Sequence, residues 1–140
     1  MEVYCDGAYA NSIDQGGAAA IFVKDNVILD KKFIGLTNTT NNRMEIFGVL
    51  IALEYILESE ETEFNIYSDS QYVINTLTKS WKTKKNLDLW KRVYELIDKI
   101  KDKKINYIWV KGHNGDQFNE IADIFAVHAS HISNVERDGE

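Results

Sequence analysis

The chain of 140 residues contains no proline and only one cysteine, Cys5. A single cysteine excludes an internal disulfide and argues against a structural zinc site. With no proline, repeat or low-complexity stretch, nothing marks a linker, and the length suits one domain with its own core. No run approaches the ~20 apolar residues of a membrane span. The start, MEVYCDG, has no basic lead before its first acid, unlike a signal peptide. A reducing, cytoplasmic setting is the expectation. Positive charge is also scarce, with 16 Lys and Arg against 22 Asp and Glu. A net charge of −6 would argue against nucleic-acid binding if it were evenly spread.

It is not evenly spread. Residues 79–92, KSWKTKKNLDLWKR, hold six bases and one acid, which leaves −11 on the rest of the chain. Lysines interleaved with Trp81 and Trp90 suit either a solvated helix start or a surface that tracks phosphates.

Alternation and turn residues predict strands at 1–6, 16–24 and 27–35, the last two joined at Asp25-Asn26. Further strands are expected at 64–69 and 105–111. Apolar spacing predicts helices over 43–58, 70–77, 87–100 and 118–129. Three hairpin strands followed by alternating helix and strand indicate an α/β domain. The expected sheet is five-stranded and mixed, with three antiparallel strands plus two parallel ones, flanked by helices. A crossover through the helix at 43–58 makes strands 1–6 and 64–69 parallel neighbours. The domain is assigned to 1–130, with 131–140 as a frayed tail.

Within RMEIFGVLIAL, positions 43–53, Glu45 shares a helical face with Val49, Ala52 and Ile56. Glu54 and Glu58 project from the opposite side. Glu45 therefore points inward, where an ionised carboxylate needs an arginine, a proton or a metal ion. The pattern recurs: VYCD ends in Asp6, IYSD ends in Asp69, and IADIFAV encloses Asp123. Any one of these could be a turn, cap or salt-bridge residue. The topology, however, directs Asp6, Asp69 and Glu45 to one end of the sheet, where ligands of such sheets bind. Like charges this close need counter-charge, and all-oxygen ligation favours Mg²⁺ or Mn²⁺.

Four blocks, DGAY at 6–9, NNRMEIFGVLIALE at 41–54, YSDSQYV at 67–73 and WVKGHNGDQFNEIAD at 109–123, resemble the type 1 ribonuclease H family in order and spacing. The resemblance implies a monomeric endonuclease that hydrolyses the RNA strand of RNA/DNA hybrids. Two Mg²⁺ ions, replaceable by Mn²⁺, would assist it, and the ends would be 5′-phosphate and 3′-hydroxyl. Matched block by block, the metal-binding carboxylates fall on Asp6, Glu45, Asp69 and Asp123, and the catalytic-loop histidine on His113. The resemblance assigns Asn41, Asn42 and Gln71 to 2′-hydroxyl recognition, which takes neutral donors and acceptors. It sets Trp81 against the DNA strand, while the charge pattern of 79–92 puts Lys82, Lys84 and Lys85 on phosphates. Two departures stand out. Asn11–Gly17 lacks the family's Asn-Pro-Gly-x-Gly-Gly, and only SWKTKKN precedes Asp88-Leu89-Trp90, where bacterial members carry a long basic protrusion. Weaker, more salt-sensitive binding is expected. The rival readings are another nuclease of the same fold and a non-catalytic hybrid-binding module.

Overall fold

A computed structural model describes residues 1–79, 83–112, 115–132 and 136–139. The strands are β1 (Glu2–Ala10), β2 (Gln15–Lys24), β3 (Val27–Thr37), β4 (Glu63–Ser68), β5 (Lys104–Trp109) and β6 (Glu136–Arg137). The helices are α1 (Asn41–Glu58), α2 (Gln71–Lys79), α3 (Leu87–Lys99) and α4 (Gln117–Ser130), with a short 3₁₀ turn at Asn11–Ile13. All six strands form one sheet in the order β5-β4-β1-β2-β3-β6.

Local chemistry explains the hairpins. Asp25 and Asn26 both take positive φ, 52° and 63°, as a two-residue turn between twisted antiparallel strands requires. β1 and β3 pair antiparallel with β2, while β4 pairs parallel with β1 and β5 parallel with β4. The parallel pairing of β1 with β4 follows from α1 crossing over between them.

Three expectations need correction. The sheet has six strands, not five, because Leu36 and Thr37 of β3 pair with Glu136 and Arg137. The segment read as a frayed tail is tied down there: Asp138 N–H donates to the Thr37 carbonyl at 2.8 Å, and Asp138 is 3% exposed. Its anchoring partners lie about a hundred residues away in sequence, beyond the reach of local periodicity. Asp6 is also not a strand end. β1 continues to Ala10, and Cys5↔Ser68 is the last pair of its ladder with β4, so Asp6 and Asp69 both lie just past that ladder.

Each face of the sheet has its own core. Val3, Cys5, Ala18, Ala20 and Phe22 pack toward α1, whereas Tyr4, Ile21 and Val23 pack toward Ala122 of α4. Slipping a strand by one residue would exchange the two sets, and each large apolar side chain is worth roughly 1.5–3 kcal/mol when buried. α1 is buried from Met44 through Leu53 because α3 covers the side away from the sheet, through Leu89, Trp90 and Val93. The indole of Trp90 donates to the Tyr72 hydroxyl at 2.9 Å, which ties α3 to α2. A helix apolar on nearly every side must lie between layers, and that position brings Glu45 against β1.

Candidate metal centre

Helix α1 is capped by Thr40, whose side chain accepts from the Arg43 amide at 3.2 Å. Five residues in, it crosses β1 at Gly7. A Cβ on Gly7 would lie 2.4 Å from the Glu45 nitrogen and the Met44 carbonyl carbon. Only glycine permits that approach. The Gly7 N–H donates to Asp6 Oδ1 at 2.9 Å and makes a very short hydrogen bond to Glu45 Oε1. One amide thus orients two carboxylates.

Asp69 is delivered from the next strand. The Trp109 indole, at the end of β5, donates to the Asp69 carbonyl oxygen at 3.1 Å. Gly112 comes so close that a Cβ there would be 2.8 Å from Asp69 Oδ2. Ser70 turns the chain into α2, its hydroxyl accepting from the Val73 amide at 3.2 Å. Asp6, Glu45 and Asp69 each offer an oxygen within 4.8 Å of the others.

The electrostatics of this cluster are unbalanced. Asp6 and Glu45 are 4% and 6% exposed. Burial, the largest influence, raises the pKa of both carboxyls well above the carboxylate range. The negative charges of Glu45 and Asp69 raise Asp6 further, and Asp69 raises Glu45. A hydrogen bond between Asp6 and Glu45 favours the protonated form of Asp6 and the ionised form of Glu45. The strongest charges acting on these acids are other acids, so the pocket stores a demand for positive charge. Three convergent hard oxygen donors fit a divalent cation such as Mg²⁺ or Mn²⁺. Arg43, one partner open to Glu45 from sequence alone, is engaged elsewhere, with Asp88 and Asp138. Cys5 lies behind the site, its thiol pKa raised by burial, and is no nucleophile.

These shifts predict a pH dependence. A carboxyl whose folded pKa exceeds its unfolded value stabilises the fold fully below the unfolded value, near 4, and loses that contribution as pH rises through the folded value. Acids with lowered pKa, such as Asp88 at about 2, act only at lower pH. In chelator, the melting temperature should therefore fall between pH 5 and pH 8. Glu45→Gln should flatten that slope, and an unchanged slope in the variant would assign the dependence to other groups.

The other sequence-assigned residues are distributed as follows. Asp123 is half-buried midway along α4 and does not join the group of three. Asn41 and Asn42 are exposed on the first turn of α1, and Gln71 is exposed at the start of α2, two residues after Asp69. Asn42, Lys84 and Lys85 line one hollow of about 260 Å³ with Tyr72, Thr76, Thr83 and Asn86. Those last four were not anticipated, since each reads locally as a helix or loop residue. His113, Trp81 and Lys82 lie outside the described residues.

Comparison with known proteins points the same way. The RNase H family model matches residues 1–131. Ribonuclease H of Albidiferax ferrireducens is 37% identical over 139 residues, spanning 90% of this chain and 91% of that one. Ribonuclease H of Rippkaea orientalis is 32% identical over 152 residues, spanning 97% and 88%. The N-terminal RNase H domain of a Mycobacterium tuberculosis protein, solved as a fusion with maltose-binding protein, superposes with a TM-score of 0.78. It is 25% identical, with 93% of this chain and 94% of that chain covered. RNase H1 from the halophilic archaeon Halobacterium salinarum shares the fold, with a TM-score of 0.77 at 24% identity over 91% and 95% of the two chains.

Proposed function

The chain belongs to the ribonuclease H family, and from that premise we propose that it hydrolyses the RNA strand of RNA/DNA hybrids by two-metal-ion catalysis. Products would carry 5′-phosphate and 3′-hydroxyl ends. The convergence of Asp6, Glu45 and Asp69 at one end of the sheet carries this reading. These three, joined by Asp123 from α4, would hold the ions. Bound there, divalent cations would supply the positive charge that makes water nucleophilic and stabilises the departing 3′ oxygen.

The remaining roles belong to the chain itself. The Gly7 amide holds Asp6 and Glu45 in fixed orientation, so little reorganisation is needed when charge enters the site. Asn41, Asn42 and Gln71 would recognise 2′-hydroxyls with neutral donors and acceptors. Lys84 and Lys85, beside Asn42, would bind backbone phosphates, with Lys82 and Trp81 assigned to the same surface by sequence. His113, assigned by sequence, would relay a proton near the departing oxygen. Among the described residues no helix is long and apolar enough to cross a membrane. A monomeric, cytoplasmic enzyme is the companion reading.

A gel assay tests the proposal. Labelled hybrid, duplex DNA, duplex RNA and single-stranded RNA are incubated with and without Mg²⁺, and the product ends are mapped with phosphatase. Cutting confined to the RNA strand of the hybrid, dependent on the ion, is expected. Cutting of duplex DNA, or full activity in chelator, would overturn it.

The lysines give a quantitative check. Lys84→Ala/Lys85→Ala should raise the KM for hybrid and lower the log–log salt slope by up to ~2, about one for each phosphate that is no longer neutralised. Identical KM and slope in this variant would make the lysines solvated surface only.

A further inference from the structure

The stretch Asn11–Gly17, where the chain leaves the family pattern, contains an aspartate that ties the end of β1 to one loop. Asp14 closes the 3₁₀ turn in the left-handed conformation, φ 47° and ψ 51°. Its Oδ2 accepts from the Asn38 amide at 3.0 Å, and its Oδ1 accepts from the Thr39 amide at 3.4 Å and the Tyr9 hydroxyl at 2.9 Å. The β2–β3 ladder ends at Gln15↔Thr37, so these bonds continue the pairing past the last strand residues. Asn38 also takes positive φ, 55°, and the amides it and Thr39 present to Asp14 have left the ladder. Asp14 is the acceptor that these two amides meet.

The segment held this way runs directly into Thr40, the N-cap of α1, and then into Asn41 and Asn42. On its other side the Thr39 hydroxyl donates to Asp138 Oδ2 at 2.8 Å. Asp14 is exposed and belongs to neither apolar core, so its bonds bear on loop position more than on packing. The Tyr9 hydroxyl, followed by the two amides, holds its carboxyl below the usual carboxylate range. The aspartate is therefore ionised at neutral pH and accepts all three bonds at once.

We infer that Asp14 is a positioning residue for hybrid recognition: it fixes the loop 37–40 so that Asn41 and Asn42 meet the substrate already oriented. This rests on the reading of those asparagines as substrate contacts. Without Asp14, the loop's two freed amides turn to water and the start of α1 samples other positions. Each encounter with hybrid then loses affinity to ordering. The chemistry at Asp6, Glu45 and Asp69 is untouched.

The test compares Asp14→Gly, which keeps the left-handed backbone without strain, with Asp14→Asn, which keeps an acceptor. Tyr9→Phe removes one partner only. Asn41→Ala/Asn42→Ala serves as the reference. Steady-state cleavage is measured with Mg²⁺, and hybrid binding in chelator is measured by fluorescence anisotropy. Asp14→Gly should raise both KM and the chelator Kd by about three- to tenfold, the range set by removing one to two hydrogen bonds. Its kcat should stay within about twofold of the parent, well inside the spread that one such bond produces. Asp14→Asn should restore most of the affinity, and Tyr9→Phe should show a smaller rise in KM. In the Asn41→Ala/Asn42→Ala background the effect of Asp14→Gly should vanish, because coupled groups are not additive. An equal rise in that background, a fall in kcat instead, or an unchanged KM would overturn the inference. If the asparagine variant itself binds and cleaves hybrid normally, the reading of those asparagines fails and this inference fails with it.

Discussion

Asp69→Asn is expected to slow hybrid cleavage by about three powers of ten while leaving the fold intact. A carboxylate shared by divalent cations supports several kcal/mol of transition-state charge stabilisation, and each 1.4 kcal/mol is about tenfold in rate. Structural damage should be slight, because Trp109 binds the backbone carbonyl of residue 69 and not its side chain. The amide nearly matches the carboxylate in volume. Removing the charge also relieves the repulsion that raises the pKa of Asp6 and Glu45. In chelator the variant should therefore melt at the same temperature as the parent or higher. Calorimetric Mg²⁺ titration should show weakened binding. Retained cleavage would remove Asp69 from the site, and a clear drop in the chelator melting temperature would make it a structural ion-pair residue.

The second large effect is on stability and concerns Arg43. Its guanidinium donates to Asp138 through Nε at 2.6 Å and Nη2 at 2.9 Å, and to Asp88 through Nη1 at 3.0 Å and Nη2 at 2.8 Å. The two carboxylates are unequal: the Asp88 side chain is 60% exposed and that of Asp138 is 2% exposed. Arg43→Leu leaves Asp138 buried without its counter-charge, a defect that typically costs 3–5 kcal/mol. The Thr39 hydroxyl still donates to Asp138, which favours the lower end, about 3 kcal/mol. For a chain of this size that is a fall of about 10 °C in melting temperature. Asp88→Asn should cost under ~1 kcal/mol, as exposed pairs do. Adding Asp138→Asn to Arg43→Leu should recover part of the loss, because the orphaned charge is then gone. Urea unfolding of the four proteins decides the matter. Similar losses for Arg43→Leu and Asp88→Asn would show that the burial of Asp138 carries no special weight.

Much of the site was legible because its signals are local. An acid on an otherwise apolar helical face, as at Glu45, is a statement about one turn of helix and the environment it enters. An acid that closes an apolar run, as at Asp69, says the same of a strand. The hairpin at Asp25-Asn26 and the helix of 87–100 were equally local, set by turn conformation and a 3.6-residue period. The parallel pairing of β1 with β4 was legible at one remove, since a helix between two strands leaves few ways to connect them.

What the residue order determined unaided is thus the chemical character: acids in apolar settings that call for a hard cation, and a basic stretch on a chain otherwise negative. Tertiary structure alone decided the partners. Arg43 faces Asp138 across 95 positions, and Asp14 reaches the Asn38 amide across 24. Asp138, in a segment expected to be a frayed tail, is buried against Thr39. Those pairings depend on how packed layers bring distant segments to one place, and no local period or propensity encodes that distance. The same holds for the cluster itself. The sequence names the acids, but only the crossing of α1 over Gly7 sets Asp6, Glu45 and Asp69 within 4.8 Å, close enough for their charges to demand a cation.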